Sequence, residues 1–182
     1  MTTETWAIDS SHSGIHFSIR HLVIAKVRGQ FSRWSGTITM PEGDLARAAV
    51  EVTIDTASID TGVADRDTHL KSADFFDIET YPEALFKSDR VEVLGADRLK
   101  VSGRLTLHGV TREVTLDVDS FGRTKDPWGN ERMGFSARTA LQRADFGLTW
   151  NQVLETGGVV VGDRVDLELE VEAVKQVATK VA

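Results

Sequence analysis

From Ile15 to Ile19 every second residue is apolar (Ile15, Phe17, Ile19), and His16, Ser18 and Arg20 take the alternate positions. Side chains of an extended chain point to opposite sides in turn, so this pattern makes one face apolar and the other wet, as in a strand over a core. After a short apolar run at 22–25 the alternation resumes over 27–40, but Phe31 has odd parity whereas Trp34, Ile38 and Met40 have even parity. The two faces cannot trade places without a bulge or a kink, and Gly29 and Gly36 are the residues expected to permit one. A long strand that bends is how a sheet begins to curl into a barrel.

The period of two recurs along the chain. Residues 49–54 put Val50, Val52 and Ile54 on one side, 84–93 contribute Phe86, Val91 and Val93, and 99–107 align Leu99, Val101, Leu105 and Leu107 with Gly103 as a bending point. His108 and Gly109 reverse the chain into 110–118, and 133–141 and 165–173 alternate again, the last most cleanly. One passage departs from this period. Residues 63–72 carry acids early and a lysine late, with Asp67 four residues before Lys71 and Asp60-Thr61 placed to cap, so a short polar helix is expected there, leading into the aromatic pair Phe75-Phe76. About eight strands, mostly sequential antiparallel neighbours, make an all-β, lipocalin-like, up-and-down barrel with a short helical insertion around 63–77. A barrel of that size has room for one small ligand. The 182 residues show neither an internal repeat nor a linker, and are expected to form a single domain over 1–182.

Composition narrows the function. The 28 acidic residues outnumber 21 basic ones for a net charge of -7, which opposes a sequence-independent grip on nucleic acid. The absence of cysteine removes disulfides, thiolate metal sites and cysteine nucleophiles. No run approaches the roughly 20 apolar residues of a membrane-spanning helix, so no stable membrane insertion is expected. The first residues are polar and acidic, unlike a secretory leader, and the expected location is cytoplasmic.

No catalytic constellation stands out. There is no G-x-S-x-G and no phosphate-binding glycine loop, and the acids at Asp65, Asp67, Asp74 and Asp77 belong to a polar helix and its exit. His12 and His16 are spaced as zinc ligands on a helix, but on a strand that spacing separates them by roughly 13 Å, so no metal site is expected unless the chain turns at Ser13-Gly14. His69 reads as a solvated group on the helix and His108 as a turn former. The excess lies in apolar residues at inward parity or beside a barrel end: Phe17, Ile19, His21, Phe31, Trp34, Phe75, Phe76, Phe86, Leu105, Leu107, Phe135, Phe146 and Trp150. Taken singly, each is an ordinary core residue. Around a hollow interior they would line an apolar channel, with Arg20, Arg66, His69 and Lys71 as candidates to hold a polar head group at its mouth.

Five segments together carry a family resemblance. They are Asp9-x-x-His12-Ser13-x-Ile15-x-Phe17-Ser18-Ile19-Arg20-His21 with Arg28-Gly29-x-Phe31; Arg66-x-x-His69-Leu70-Lys71-Ser72-x-Asp74-Phe75-Phe76-Asp77; Tyr81-Pro82 with Phe86-x-Ser88; Gly103-x-Leu105-Thr106-Leu107-His108-Gly109-Val110-Thr111; and Arg143-x-Asp145-Phe146-Gly147-Leu148-x-Trp150. In this order they resemble the YceI-like family of lipocalin-like, polyisoprenoid-binding proteins. The resemblance implies an extended barrel around a long isoprenoid tail, such as a polyprenyl pyrophosphate or quinone side chain, often in a homodimer, with no cofactor beyond the bound lipid. The expectation is therefore a non-enzymatic carrier of a long-chain amphiphile. An enzyme acting on a lipid head group through His21, His69 and neighbouring acids, or a stress-related interaction protein with a filled core, are the alternatives.

Overall fold

A computed structural model describes residues 2–178. Its strands are β1 (Thr3–Ile8), β2 (Gly14–His21), β3 (Ala25–Phe31), β4 (Trp34–Pro41), β5 (Ala49–Asp55), the short β6 (Ile59–Asp60), β7 (Glu83–Val93), β8 (Arg98–Leu107), β9 (Val110–Lys125), β10 (Glu131–Gln142) and β11 (Val161–Lys175), with one helix, α1 (Ala64–Lys71), after β6. All eleven strands join one sheet in the order β1-β4-β5-β7-β8-β9-β10-β11-β2-β3-β6. A further pairing of β1 with β11 closes eight of them into an antiparallel barrel.

The closure depends on how β11 divides its outer edge. Val165 to Glu170 pair with β2, whereas Ala173 to Lys175 pair with β1. At the changeover Glu172 would lose its backbone partners, a cost that a buried peptide group does not tolerate. The Glu172 N–H instead donates to Ser13 Oγ at 2.9 Å, and its carbonyl accepts the Asp9 N–H at 2.8 Å. The lower barrel is thus closed by β1, and the upper barrel is extended by the β2-β3-β6 ribbon with α1 beside it.

Three sequence expectations are corrected. The exchange of faces between Phe31 and Trp34 takes place where the chain leaves β3 at Ser32 and Arg33 and starts β4, not at a glycine. Gly29 instead makes room for an aromatic ring, since it pairs with Phe17, whose ring lies against the space a Cβ would fill. The helix is not capped by Asp60 or Thr61; its N-cap is Val63, and Asp67 accepts the Thr61 N–H and hydroxyl at 2.9 and 2.5 Å instead of reaching Lys71. β11 runs as far as Lys175, and residue 1 and residues 179–182 of the expected single domain lie outside those described. Gly103 does mark a bend, because Ser88 pairs with it and Arg90 with Ser102, leaving Asp89 as the extra residue of a bulge.

The main core lies in the lower barrel. Trp6 and Ala173 are fully buried there, with Met40, Met133, Leu99, Val101 and Phe135 packed around them. Glu4 shares the inward face of β1 with Trp6 and is itself buried. Its carboxylate accepts from Lys175 at 2.8 Å and Arg123 at 2.9 Å. The hydrogen bond from Lys175, opposed by burial and reinforced by Arg123, lowers its pKa from 4.5 to about 2. Beside it, Arg132 donates to Glu172 at 2.6 Å, Asp126 at 2.8 Å and Asp9 at 3.0 Å. Hydrogen bonds from Ser11 and His12, with Arg132, hold the Asp9 carboxyl well below the usual range.

Candidate functional site

The upper barrel is hollow. A cavity of about 470 Å³ opens there, within the roughly 300–1,000 Å³ of small-molecule sites. A second, of about 150 Å³, lies deeper. Ile15, Ile54, Leu105 and Leu167 line both, so the two chambers adjoin at a neck of side chains from β2, β5, β8 and β11.

The alternation of β2 explains one part of the wall. Ile15, Phe17, Ile19 and His21 all face the upper chamber, because inward residues of a strand recur at every second position. Phe31 approaches from β3, with ring centroids 5.8 Å from Phe17 and 5.8 Å from Phe76. Leu105 and Leu107 come from β8, and Phe146 from the short 3-10 turn Arg143–Phe146. The turns after α1 fold Phe75 and Phe76 over the opening, where Phe75 packs on Trp150 at 5.2 Å. Trp34, Phe86 and Phe135 lie further in and line the deeper chamber. The thirteen apolar-channel candidates are thus brought together, ten on the upper wall and three only on the lower, with Leu105 at the neck.

Polarity is graded along this axis. Among the described residues, Thr139 is the one polar group lining the deeper chamber. The upper chamber carries Arg20, His21, Thr61, Asp65, Arg66, His69, Gln142 and Arg143, so three guanidinium groups share it with a single carboxylate. Arg66 is steered by Thr61, donating to its hydroxyl at 2.7 Å and its carbonyl at 2.8 Å. His69 meets Asp74 at 2.9 Å and lies edge-on to Trp150 at 4.7 Å. Lys71 does not line either chamber and so falls outside the head-group set. On α1 the lining positions are 65, 66, 69 and 70, one face of a helix, and 71 lies off it.

Arg143 is the functional candidate that sequence reasoning passed over. Only 5% exposed, it donates to the carbonyls of Leu148 at 2.7 Å, Gly162 at 2.9 Å and Trp150 at 3.2 Å. The nearest carboxylate, Asp163, is 4.0 Å away and faces solvent. Burial pushes its pKa down, yet a guanidinium stays protonated, so this is a buried cation offset mainly by backbone dipoles. The signal was an arginine inside the dense segment RADFGLTW, where a surface charge is out of place.

His108 exceeds its role as a turn former: its Nδ1–H donates to the Phe146 carbonyl at 3.1 Å and fixes that turn on the β8–β9 hairpin. The chain does turn before Gly14, but it brings His12 to Asp9 and Glu172 and not to His16. Arg132 already neutralises both carboxylates of that group, so a cation there would have to displace a guanidinium.

The comparisons with known proteins agree with this geometry. The model of the YceI-like domain matches residues 6–173. A UPF0312 protein of Vibrio parahaemolyticus is 40% identical over 168 residues, covering 91% of this chain and 84% of that relative. Protein YceI of Escherichia coli O157:H7 is also 40% identical over 168 residues, with 92% and 84% covered. Among solved structures, the Campylobacter jejuni YCEI protein superposes with a TM-score of 0.76 at 31% identity, covering 87% of this chain and 90% of that one. A polyisoprenoid binding domain from Saccharophagus degradans has the same fold, with a TM-score of 0.69 at 19% identity over 94% and 98% of the two chains.

Proposed function

Because this chain belongs to the YceI-like family, its matched domain spanning 6–173, we propose that it is a non-enzymatic binding protein for a long-chain isoprenoid or similar amphiphile. One observation carries the reading: an apolar inner chamber lies directly behind a chamber whose polar groups are mostly cationic, with Ile15, Ile54, Leu105 and Leu167 lining both. A prenyl tail would occupy the inner chamber, where each buried methylene contributes about 0.8 kcal/mol. An anionic head, such as a pyrophosphate, would meet Arg20, Arg66 and Arg143, with His21 and His69 beside them. The neighbour from Saccharophagus degradans, described as a polyisoprenoid binding domain, supports the ligand class. In this reading His69, held by Asp74, orients a head group and transfers no proton.

Protein purified without detergent is expected to release a long-chain lipid on native mass spectrometry or organic extraction. Stripped of lipid, it is expected to take up a polyprenyl phosphate saturably, one per chain. Phe17→Arg puts a charge on the wall of the upper chamber and is expected to abolish uptake while circular dichroism remains that of a folded barrel. Absence of saturable uptake by stripped, folded protein would rule the proposal out.

A further inference from the structure

At the upper end of the barrel the three-residue tip between β2 and β3 leaves Val23 and Ile24 exposed at 73% and 83%, and Val153 of the neighbouring loop at 77%. The two segments adjoin: the Leu22 N–H donates to the Val160 carbonyl at 2.8 Å, and His21 pairs with Val161. His21, Val160 and Val161 also line the upper chamber, so these exposed side chains form a lip at its mouth. The tip is held in an unfavourable conformation. Leu22 and Val23 have φ of 55° and 65°, a region that glycine and asparagine enter easily and a β-branched residue rarely does. A tip that only had to turn would do better without them; what they add is apolar surface in water, which gains when it meets another apolar phase.

Charge says which phase. Between Ser10 and Pro41 the sequence holds Arg20, Lys26, Arg28 and Arg33 and no acidic residue, in a chain whose net charge is -7. Arg20 and Lys26 face each other directly across the β2–β3 ladder, just behind the lip, a like-charge pairing that costs stability unless an anion joins it. Among the described residues no carboxylate ion-pairs with Arg20, Lys26 or Arg28. The facing loop, residues 151–160, contributes a single acid, Glu155.

The geometry points to a docking surface for an anionic lipid bilayer, with the lip entering the headgroup layer and Lys26 and Arg28 set against acidic headgroups. The mouth of the cavity is thereby placed against the phase from which an apolar chain is drawn, so this inference rests on the chain-binding reading above. The acidic remainder of the molecule is repelled by the same surface, which orients the approach. Cations that act this way lose their effect within a Debye length, so docking weakens with salt.

The test is flotation of the full chain with vesicles of phosphatidylcholine mixed with phosphatidylglycerol, against vesicles of phosphatidylcholine alone. Uptake of a polyprenyl phosphate in solution is measured on the same preparations. The protein is expected to float with the mixed vesicles, to stay behind with the neutral ones, and to be released by added salt. The double change Val23→Asn, Ile24→Ser removes apolar surface and suits the backbone at 23, so it folds at least as well; it is expected to lower flotation about tenfold or more and leave uptake intact. Lys26→Gln with Arg28→Gln is expected to erase the difference between the two vesicle compositions. Uptake without flotation of the unaltered protein overturns the docking surface and spares the binding reading, as does unchanged flotation of the lip variant. A lip-dependent dimer in sedimentation velocity, with no flotation, also overturns it by making a second copy the occupant. Flotation through the lip without any uptake sustains docking and defeats the binding reading instead.

Discussion

At the lower end of the barrel Trp6 is fully buried, Met40 and Ala173 close over it, and Glu4 and Arg132 tie the strand ends together with ion pairs. At the upper end Phe17 and Phe31 of the same sheet and Phe76 of the turns after α1 stand instead around a space of about 470 Å³. Both ends bury aromatic surface, so aromatic content does not separate a packed region from a receptive one. The difference is in how the sheet closes. Where β1 fills the gap between β11 and β4, facing side chains meet across the interior. Where β2 and β3 take over the edge of β11, a ribbon that ends at β6 and the helical insertion beside it form the wall, and the side chains stand around the larger of the two spaces.

Substitutions at the two ends are expected to differ in cost. Trp6→Ala is expected to cost about 3–5 kcal/mol in urea unfolding, since a fully buried indole leaves a cavity that cannot collapse. Phe31→Ala, beside an existing space, is expected to cost about 1–2 kcal/mol; equal costs would mean the two ends are packed alike. Enlargement tests the same point in reverse. Ala173→Leu overfills the closed end and is expected to cost about 1–3 kcal/mol, whereas Leu105→Phe projects into the neck, costs under about 1 kcal/mol, and shortens the longest prenyl chain accepted.

Charge at the closed end adds an effect that depends on pH. Glu4→Gln is expected to cost about 1–2 kcal/mol at neutral pH, the worth of hydrogen bonds to an ionised group. Because the folded-state pKa of Glu4 is depressed, its contribution is complete above its ordinary value of 4.5 and is lost as pH falls toward about 2. The unaltered protein and the variant should therefore converge in stability across that interval. A gap that persists at the acid end would show that Glu4 acts through packing and not through its charge.

Strand period and inward parity were legible in the residues, and with them the barrel and most of its lining. Phe17, Ile19 and His21 follow from the alternation of β2 alone. Depth was not legible. Trp34, Phe86 and Phe135 have the same inward parity as the mouth residues, and only the tilt and stagger of the strands put them in the inner chamber. β1 escaped notice because Glu4 occupies an inward position where a strand pattern calls for an apolar residue, and its partners Arg123 and Lys175 are distant in sequence. The kink after Phe31 was assigned to glycines because glycine permits bending, but Gly29 is required to make room for the Phe17 ring. Charge alone makes Lys71 a head-group candidate, but helix rotation takes it off the lining face, and nothing local in the sequence reveals that the partners of Arg143 are the carbonyls of Leu148 and Gly162.

The hollow upper half and its continuity with the inner chamber can be tested by crystallography of the stripped protein soaked with a long-chain amphiphile brominated at its far end. The bromine anomalous peak is expected in the inner chamber, among Trp34, Phe86 and Phe135, with the head near Arg66 and Arg143. A fully occupied amphiphile whose bromine lies outside the barrel, or an interior that admits no peak at any soak, would contradict it.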